Sequence, residues 1–467
     1  MAKVLRIDNT TLPKAQESTE AGNRDRFVAA YKGELCYVVE WKQWLKKQGT
    51  IWIPATPGDL QERALNITHQ IALEADSVKD PNTKAAMLSW AKQSQSRAKL
   101  NAMISMSAMW PEIEVSSAQF DGSKNLLATD NEIVNLEREE DECSFESTFW
   151  TRKANASRDD KAECSAFKAF LRQVFCGDTE LIAWMQLALG YSITGSTEEQ
   201  VLFMAHGEGS NGKSTLLEVI LEVIGGYGRT ADVNQFMQRD KHGIRTLEQV
   251  AVLKGVRLAV ASELEGNSRL NEALLKRLTG GDTLTAARLH KEQFTFIPQF
   301  KIWMLMNHLP FTEDNSEGYW RRVRVVPFNA KFKNEQRQIG IKDKLLVERD
   351  GILNWLIEGA RKWYENKTST GGSGLGSCKA VERATAEYRA PHDPIQAFIN
   401  DCTLISSDNA EAAGKLYETY REWAAQNSAA GTLSAPSFAA LMASKGFKKR
   451  RASAGMMYQG LQLRREA

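Results

Sequence analysis

Between an apolar run and a helix-like one stands Gly207-Glu208-Gly209-Ser210-Asn211-Gly212-Lys213-Ser214-Thr215, which fits G-x-x-x-x-G-K-[ST]. Glycines let the backbone curl until successive N–H groups face a phosphate, and the positive end of the following helix adds to the attraction. In such a loop Lys213 bridges the β- and γ-phosphates of ATP, and the Ser214 hydroxyl completes a Mg²⁺ shell. Gly207, Gly209, Asn211, Gly212, Lys213, Ser214 and Thr215 are therefore the candidate nucleotide-binding residues.

Two further runs end in groups suited to the same chemistry. Arg257 to Ala261 reads as an apolar strand leading through Ser262 into Glu263-Leu264-Glu265, and a sheet of this type puts its carboxyl edge beside the phosphate loop. A carboxylate there holds Mg²⁺ through water and orients, or partly deprotonates, the attacking water, a role expected of Glu263 and shared by Glu265 if the strand stays extended. Lys301 to Met306 is a second buried-looking strand, and it ends in Asn307, 44 residues after Glu263. An amide in that place reports whether the γ-phosphate is intact.

The elements that must position these groups follow from the pattern. Strands at Val201 to Ala205, Arg257 to Ala261 and Phe300 to Met306 alternate with helical patterns such as Ser214 to Ile224, which predicts an α/β core with a parallel sheet flanked by helices. Helices are expected at Ala166 to Phe175, Asp178 to Leu189 and Ile341 to Tyr364. Before this core, residues 21–155 read as a mainly helical to mixed domain with a Trp- and Tyr-rich start and short β-type runs from Val115 to Arg152; the acidic cluster Glu137 to Glu142 reads as a solvated face. Residues 1–20 read as a flexible terminus and 156–370 as the ATPase domain. Gly371-Gly372-Ser373-Gly374-Leu375-Gly376-Ser377 reads as part of a linker over 371–391. A last unit over 392–467 has helical patterns at Ile395 to Phe398, Gly414 to Ala425 and Ser434 to Ser444, and then a basic run.

Composition sets outer bounds. The 467 residues exceed one ordinary domain; 42% hydrophobic and 25% charged residues are ordinary values for a folded chain, and no apolar run is long enough to cross a bilayer. No signal segment opens the chain, so a cytoplasmic setting is expected. Basic and acidic residues nearly cancel, 60 against 58, so any positive surface for nucleic acid must be local. Cys36, Cys143, Cys164, Cys176, Cys378 and Cys402 form no C-x-x-C pair, and with six histidines at no ligand spacing, free thiols and no tightly held zinc are expected.

Taken in order, the phosphate loop, the acidic strand end and the asparagine strand resemble the superfamily 3 helicases, in particular the helicase half of phage, satellite and poxvirus-type primase-helicases. The resemblance extends to Leu189-Gly190-Tyr191, Leu275-Lys276-Arg277, Asn307-His308-Leu309-Pro310, Trp320-Arg321-Arg322, Gly351-Ile352-Leu353-Asn354-Trp355 and, near the start, Gly22-Asn23. It implies a P-loop ATPase core of AAA+ type and an ATP- and Mg²⁺-dependent helicase that draws single-stranded DNA through a homo-hexameric ring during viral or plasmid replication. If phage-encoded, the chain would work in the bacterial cytoplasm, beside a separate primase or DNA polymerase. With only about 20 residues ahead of the helical segment, no primase domain is expected here.

The resemblance also implies roles. Lys276 is a basic residue near the nucleotide, and Arg321 or Arg322, with Arg322 preferred, reaches the γ-phosphate of the neighbouring subunit. The β-prone stretch Thr283 to Gln293 becomes a channel hairpin whose Arg288, His290 and Lys291 grip phosphates of the single strand. The C-terminal unit resembles a small winged-helix module, with Lys448, Lys449, Arg450 and Arg451 set against duplex DNA. A DNA-stimulated loading or clamp-like ring, or a nucleic-acid-sensing defence ATPase, is the alternative reading of the same residues.

Overall fold

The computed structural model describes residues 17–138, 149–237, 250–262, 270–287, 293–310, 312, 316–332, 340–427, 433–452 and 455–464. They divide into two units: one takes the described residues up to 135 together with 149–158, and the other takes 136–138 and 159–464. Among the described residues, no helix is long and apolar enough to cross a membrane.

In the first unit α1 (Glu20–Tyr31) is opened by Thr19, whose hydroxyl accepts from the Gly22 amide at 3.0 Å. The Trp- and Tyr-rich stretch that follows is a meander, β1 (Leu35–Val38), β2 (Gln43–Gln48) and β3 (Ile51–Pro54). Alternating side chains divide between two faces: Leu35 and Trp44 pack with Phe27 of α1, whereas Cys36, Val38 and Leu45 pack with Trp52 and Phe120 on the other side. A capping box at Thr56 and Asp59, with Pro57 at the first position, starts α2 (Pro57–Asp76), and α3 (Pro81–Ser94) and α4 (Arg97–Ala108) follow. The strand β4 (Glu114–Val115) completes a sheet of order β3-β2-β1-β4, and β5 (Leu126–Ala128) with β6 (Ile133–Asn135) forms a hairpin. Helices make up most of this unit's regular structure, and a sheet joins them because period-two alternation in the aromatic stretch buries both of its faces. The Gly22-Asn23 pair sits at a crossing: Asn23 is buried, donating to Ser94 Oγ and accepting from Trp90 Nε1, each at 2.9 Å.

The second unit opens with α5 (Ser165–Val174) and α6 (Thr179–Ile193), the latter capped by Asp178, whose carboxylate accepts from the Leu181 amide at 3.0 Å. Then come β7 (Leu202–His206), α7 (Lys213–Ile224), β8 (Gly228–Asp232), β9 (Leu258–Ser262), α8 (Glu272–Thr279), the hairpin β10 (Leu284–Ala287) and β11 (Gln293–Phe296), β12 (Lys301–Met306), the short α9 (Glu317–Trp320) and β13 (Val323–Pro327). Five strands form one parallel sheet of order β13-β7-β12-β9-β8. All six residues of β12 are buried, as expected of a central strand covered on both faces. Numbering these five strands along the chain gives the spatial order 5-1-4-3-2, so the phosphate-loop strand β7 lies between the last strand and the asparagine strand.

Helices cover that sheet. The expected single helix over 341–364 is two, α10 (Ile341–Leu346) and α11 (Arg349–Thr370), and α11 lies against α6 at backbone distance. A Cβ on Gly190 would come within 2.3 Å of the Ala360 nitrogen, so only glycine fits that crossing. The carboxylate of Glu348 accepts from the Ala166 and Phe167 amides, each at 3.0 Å, and caps α5 from afar.

The glycine-rich segment expected to be a linker is packed instead. Leu375 is buried, the Gly374 carbonyl accepts from Asn366 at 3.1 Å, and Glu199 accepts from the Gly374 amide and Ser373 hydroxyl at 2.7 and 2.6 Å. Beyond it α12 (Lys379–Arg389) lies on β13, its Thr385 hydroxyl accepting from the Val325 amide at 3.0 Å. Glycine content signalled backbone freedom in the sequence, but here it permits close approach: a Cβ on Gly374 would meet the Trp363 carbonyl at 2.4 Å.

A C-terminal module follows in the order α13 (Pro394–Cys402), β14 (Thr403–Ala412), α14 (Ala413–Asn427), α15 (Ala435–Ser444), β15 (Lys449–Ala452) and β16 (Gly455–Leu463). Its antiparallel sheet has the order β14-β16-β15, and its core joins Phe398, Tyr420, Phe438 and Tyr458.

Candidate nucleotide site and nucleic-acid surfaces

The parallel sheet has two edges, and the candidate residues divide between them. At the carboxyl edge, β7 ends at His206 and the loop 207–212 runs into α7. Gly212 has φ +85° and a Cβ there would strike Val174 Cγ2 at 2.6 Å, so both the turn and the space require glycine. Gly207 is hemmed in likewise: a Cβ would meet the Phe328 carbonyl at 2.3 Å. Gly209 faces open space. Asn211 is buried, and its amide donates to the carbonyls of Glu208 at 2.7 Å and Phe328 at 3.2 Å, which pins the loop to the end of β13.

Lys213, 5% exposed, sends its amine to the Gly207 carbonyl and to Asn307 Oδ1 at 3.2 Å. Burial lowers its pKa below the usual lysine value. His206 beneath it is also held below the usual imidazole range, first by burial and then by the Lys213 charge. Ser214 and Thr215 lie in the first turn of α7, with Ser214 exposed. These residues fit the phosphates of a nucleoside triphosphate: a glycine-bounded curl, the N-terminus of a twelve-residue helix and a buried amine converge on one place. Beside the loop β9 ends at Ser262, which pairs with Leu305 of β12. Glu263 and Glu265 lie outside the described residues, so Ser214 is the one described member of the expected Mg²⁺ shell.

The opposite edge carries the arginines. Val323 of β13 pairs with Leu202, the first residue of β7, and the Leu202 amide donates to the Arg322 carbonyl at 2.7 Å. At about 3.3 Å per residue, Arg321 and Arg322 sit roughly 20 Å from the phosphate loop of their own chain. Arg321 is exposed, its guanidinium donating to Gln200 Oε1 at 2.7 Å. Arg322 is half-buried, bonded to the Gly318 carbonyl and, at 3.4 Å, to the same Gln200 oxygen. Burial, then the charge of Arg321, lowers its pKa. Lys276 belongs to this edge too, its amine donating to Ser316 Oγ at 3.0 Å just ahead of α9. The fold therefore brings Lys213 and Asn307 together, and separately gathers Lys276, Arg321 and Arg322.

Of the nucleic-acid candidates, the stretch 283–293 is an antiparallel hairpin with Ala287 opposite Gln293. Its tip, with Arg288, His290 and Lys291, lies outside the described residues. Lys448, Lys449, Arg450 and Arg451 are exposed at the start of β15 and along it. The described cysteines are free thiols, and burial raises the pKa of Cys36 to about 12.

Comparison with known proteins places these features. A family model described as D5 N terminal like matches residues 24–176, and a model of a family of unknown function, DUF5906, matches 205–322. The protein described as "Putative helicase L207/L206" of Acanthamoeba polyphaga mimivirus is 29% identical over 270 residues, 54% of this chain and 27% of that protein. The chain is thus similar, over its residues 24–176, to proteins with the D5 N terminal like region, and its relatives include putative helicases and primases of large DNA viruses. Other relatives it resembles are "Putative helicase 022R" of Frog virus 3, 25% identical over 60% of this chain and 30% of that protein, and "Putative primase C962R" of African swine fever virus (strain Badajoz 1971 Vero-adapted), 23% identical over 51% and 26%. The chain spans 26–37% of the length of such relatives. Among solved structures, the apo NrS-1 C-terminal region aligns over 94% of this chain and 99% of that one with a TM-score of 0.50 at 9% identity, a likeness of fold.

Two features of the site have weak sequence signals. Gln200 has no motif around it, and its positive φ just ahead of a strand shows only in the structure. The α12 helix follows glycines that read as the end of the domain.

Proposed function

We propose that this chain is an ATP-driven nucleic-acid motor whose active unit is a ring, with each nucleotide held by one subunit and completed by the next. The observation that carries this reading is the separation of the two edges: Lys213 and Asn307 are in contact at one, whereas Arg321 and Arg322 stand roughly 20 Å away at the other. A guanidinium so placed can meet a γ-phosphate only in a neighbouring copy, and a head-to-tail contact of that kind forms a ring where its rotation closes. Arg321 is assigned the trans role in preference to Arg322, because it is exposed and free of the Gly318 carbonyl that holds its neighbour.

Within one subunit, loop amides and the Lys213 amine bind the β- and γ-phosphates, Asn307 positions the attacking water, and Ser214 with Glu263 holds Mg²⁺, which supplies charge neutralisation at the phosphates. Glu263, aided by Glu265, takes the proton of that water. The trans arginine balances charge developing on the transferred phosphoryl group. The likeness to putative viral helicases supports the reading of a hexamer translocating on single-stranded DNA, with the 283–293 hairpin, through Arg288, His290 and Lys291, on the strand's phosphates. The C-terminal order helix, strand, helix, helix, strand, strand supports reading this module as a winged helix, with a duplex contact through Lys448, Lys449 and Arg450.

A labelled DNA fork with ATP tests the reading. ATP-dependent strand release is expected, lost on replacing His290 and Lys291 by alanine while nucleotide binding persists. DNA-stimulated ATP hydrolysis without release by the native chain would instead indicate a loading or sensing ring.

A further inference from the structure

The turn just ahead of β7 carries a glutamine in a conformation that side chains rarely adopt. Gln200 has φ +53°, in the left-handed region, and a non-glycine residue held there commonly marks a local constraint. The segment is fixed from both ends. At one end the Lys301 amine, fully buried, donates to the carbonyls of Thr194 at 2.5 Å and Ser196 at 3.1 Å, just past the C-terminus of α6. At the other, Leu202 is paired to the Arg322 carbonyl, and within the turn the Gln200 amide donates to the Thr197 carbonyl at 3.0 Å.

The Gln200 side chain then meets both arginines. Its Oε1 accepts from Arg321 at 2.7 Å and Arg322 at 3.4 Å, while Nε2 reaches the Gly280 carbonyl at 3.4 Å. Like charges side by side repel, and an acceptor shared between them holds both. The neighbouring carboxylate is committed elsewhere: Glu199 accepts from Trp363 Nε1 at 2.7 Å as well as from Ser373 and Gly374. A neutral amide oxygen orients a guanidinium without cancelling the charge that a neighbour's phosphate would need, whereas a carboxylate would do both.

We propose that Gln200 is the positioning residue for the intersubunit arginine, its amide oxygen aiming Arg321 outward from the edge of the sheet opposite the phosphate loop. This rests on the ring reading above. It assigns Gln200 no contact with nucleotide, so its loss acts on turnover and not on binding.

The test compares Gln200→Met, which removes the acceptor, Gln200→Asn, which tolerates the left-handed backbone but withdraws the oxygen by one methylene, and Gln200→Glu, which keeps an oxygen in place. Steady-state ATP hydrolysis is measured with a single-stranded oligonucleotide. Both Met and Asn variants are expected to lose about tenfold or more in kcat, as misplacement by an ångström does, with KM for ATP nearly unchanged; Glu, which holds the guanidinium but cancels its charge, recovers little of it. Mixing Gln200→Met with Lys213→Ala subunits should restore turnover, because the second supplies an intact arginine edge to the first one's phosphate loop. The Asn variant keeps the test decisive if Met fails to fold. Wild-type kcat in the Asn variant, or mixing that gives no gain, overturns the proposal. Wild-type turnover in both Arg321→Ala and Arg322→Ala would instead sink the ring reading itself, which separates the two failures.

Discussion

The two edges of the parallel sheet are built on opposite principles. The phosphate-loop edge is complete within one chain: glycines fitted against Val174 and Phe328, a buried Asn211 pinned to two carbonyls, and a buried lysine touching Asn307. The arginine edge presents an exposed guanidinium supported from behind by Gln200, at the end of the sheet opposite its own chain's phosphate loop. Preorganised backbone dipoles suit a group that must hold ligand whatever its neighbours do. A side chain presented outward suits a group that must engage only after assembly. On this reading turnover is conditional on assembly because its last charge belongs to another subunit.

The largest expected effects break that contrast most directly. Arg321→Ala should lower ATP turnover by about 10³-fold or more while nucleotide binding stays, the scale of an arginine supplied in trans. Lys213→Ala should lower turnover by about 10²-fold or more and weaken binding with it. A 1:1 mixture of the two should regain activity, since in a randomly mixed head-to-tail ring about a quarter of interfaces combine an intact loop with an intact arginine. Activity in the mixture equal to the mean of the separate variants would place both groups in one subunit's reaction. Asn307→Ala comes next, with a fall of about tenfold to a hundredfold and little change in Lys213-dependent binding, checked by single-turnover hydrolysis beside nucleotide titration.

Legibility in the sequence followed the same division. The phosphate loop, its helix and the strands β9 and β12 were readable because they consist of contiguous apolar runs with polar ends, and each expected boundary lies within a residue or two of the observed one. The edge strands β8 and β13 are mixed in character, and pairing reveals them: Val323 to Pro327 is a strand because β7 lies beside it. Gln200 and Glu199 act across more than a hundred residues of sequence, on Arg321 and on Gly374, and no local pattern encodes such partners. The glycine-rich segment misled for a physical reason, since glycine serves equally where a chain is free and where a side chain has no room. The sequence reading prefers Arg322, and the proposal of Arg321 in its place rests on exposure, which two adjacent arginines do not disclose.

Smaller effects sharpen the comparison by probing what supports each edge. Gly374→Ala forces a methyl against the Trp363 carbonyl and indole, behind Glu199, and Gly190→Ala does the same where α6 crosses α11. Each should cost about 1–3 kcal/mol of stability, read as a lowered Tm. Gly374→Ala should also reduce kcat more than Gly190→Ala does at a temperature where both are folded, because only the first disturbs the turn behind the arginines. Equal kcat in the two would show that the Glu199 contacts are structural alone.

The smallest effect concerns His206, at the other edge. Burial and the Lys213 charge hold its pKa below the unfolded value of about 6.5. The stability it contributes is therefore fully present above that pH and is lost as pH falls through the folded pKa, because the unfolded chain takes up a proton that the folded one resists. His206→Gln removes this term. Its Tm difference from the native chain should be constant above pH 7 and should shift in favour of the variant as the pH is lowered toward 5. Removing the nearby charge with Lys213→Ala should weaken that dependence without abolishing it, since burial is the larger cause. A difference that stays flat across the whole range would show that the imidazole takes up its proton as readily in the folded chain as in the unfolded one, and that the phosphate edge is wetter than its packing implies.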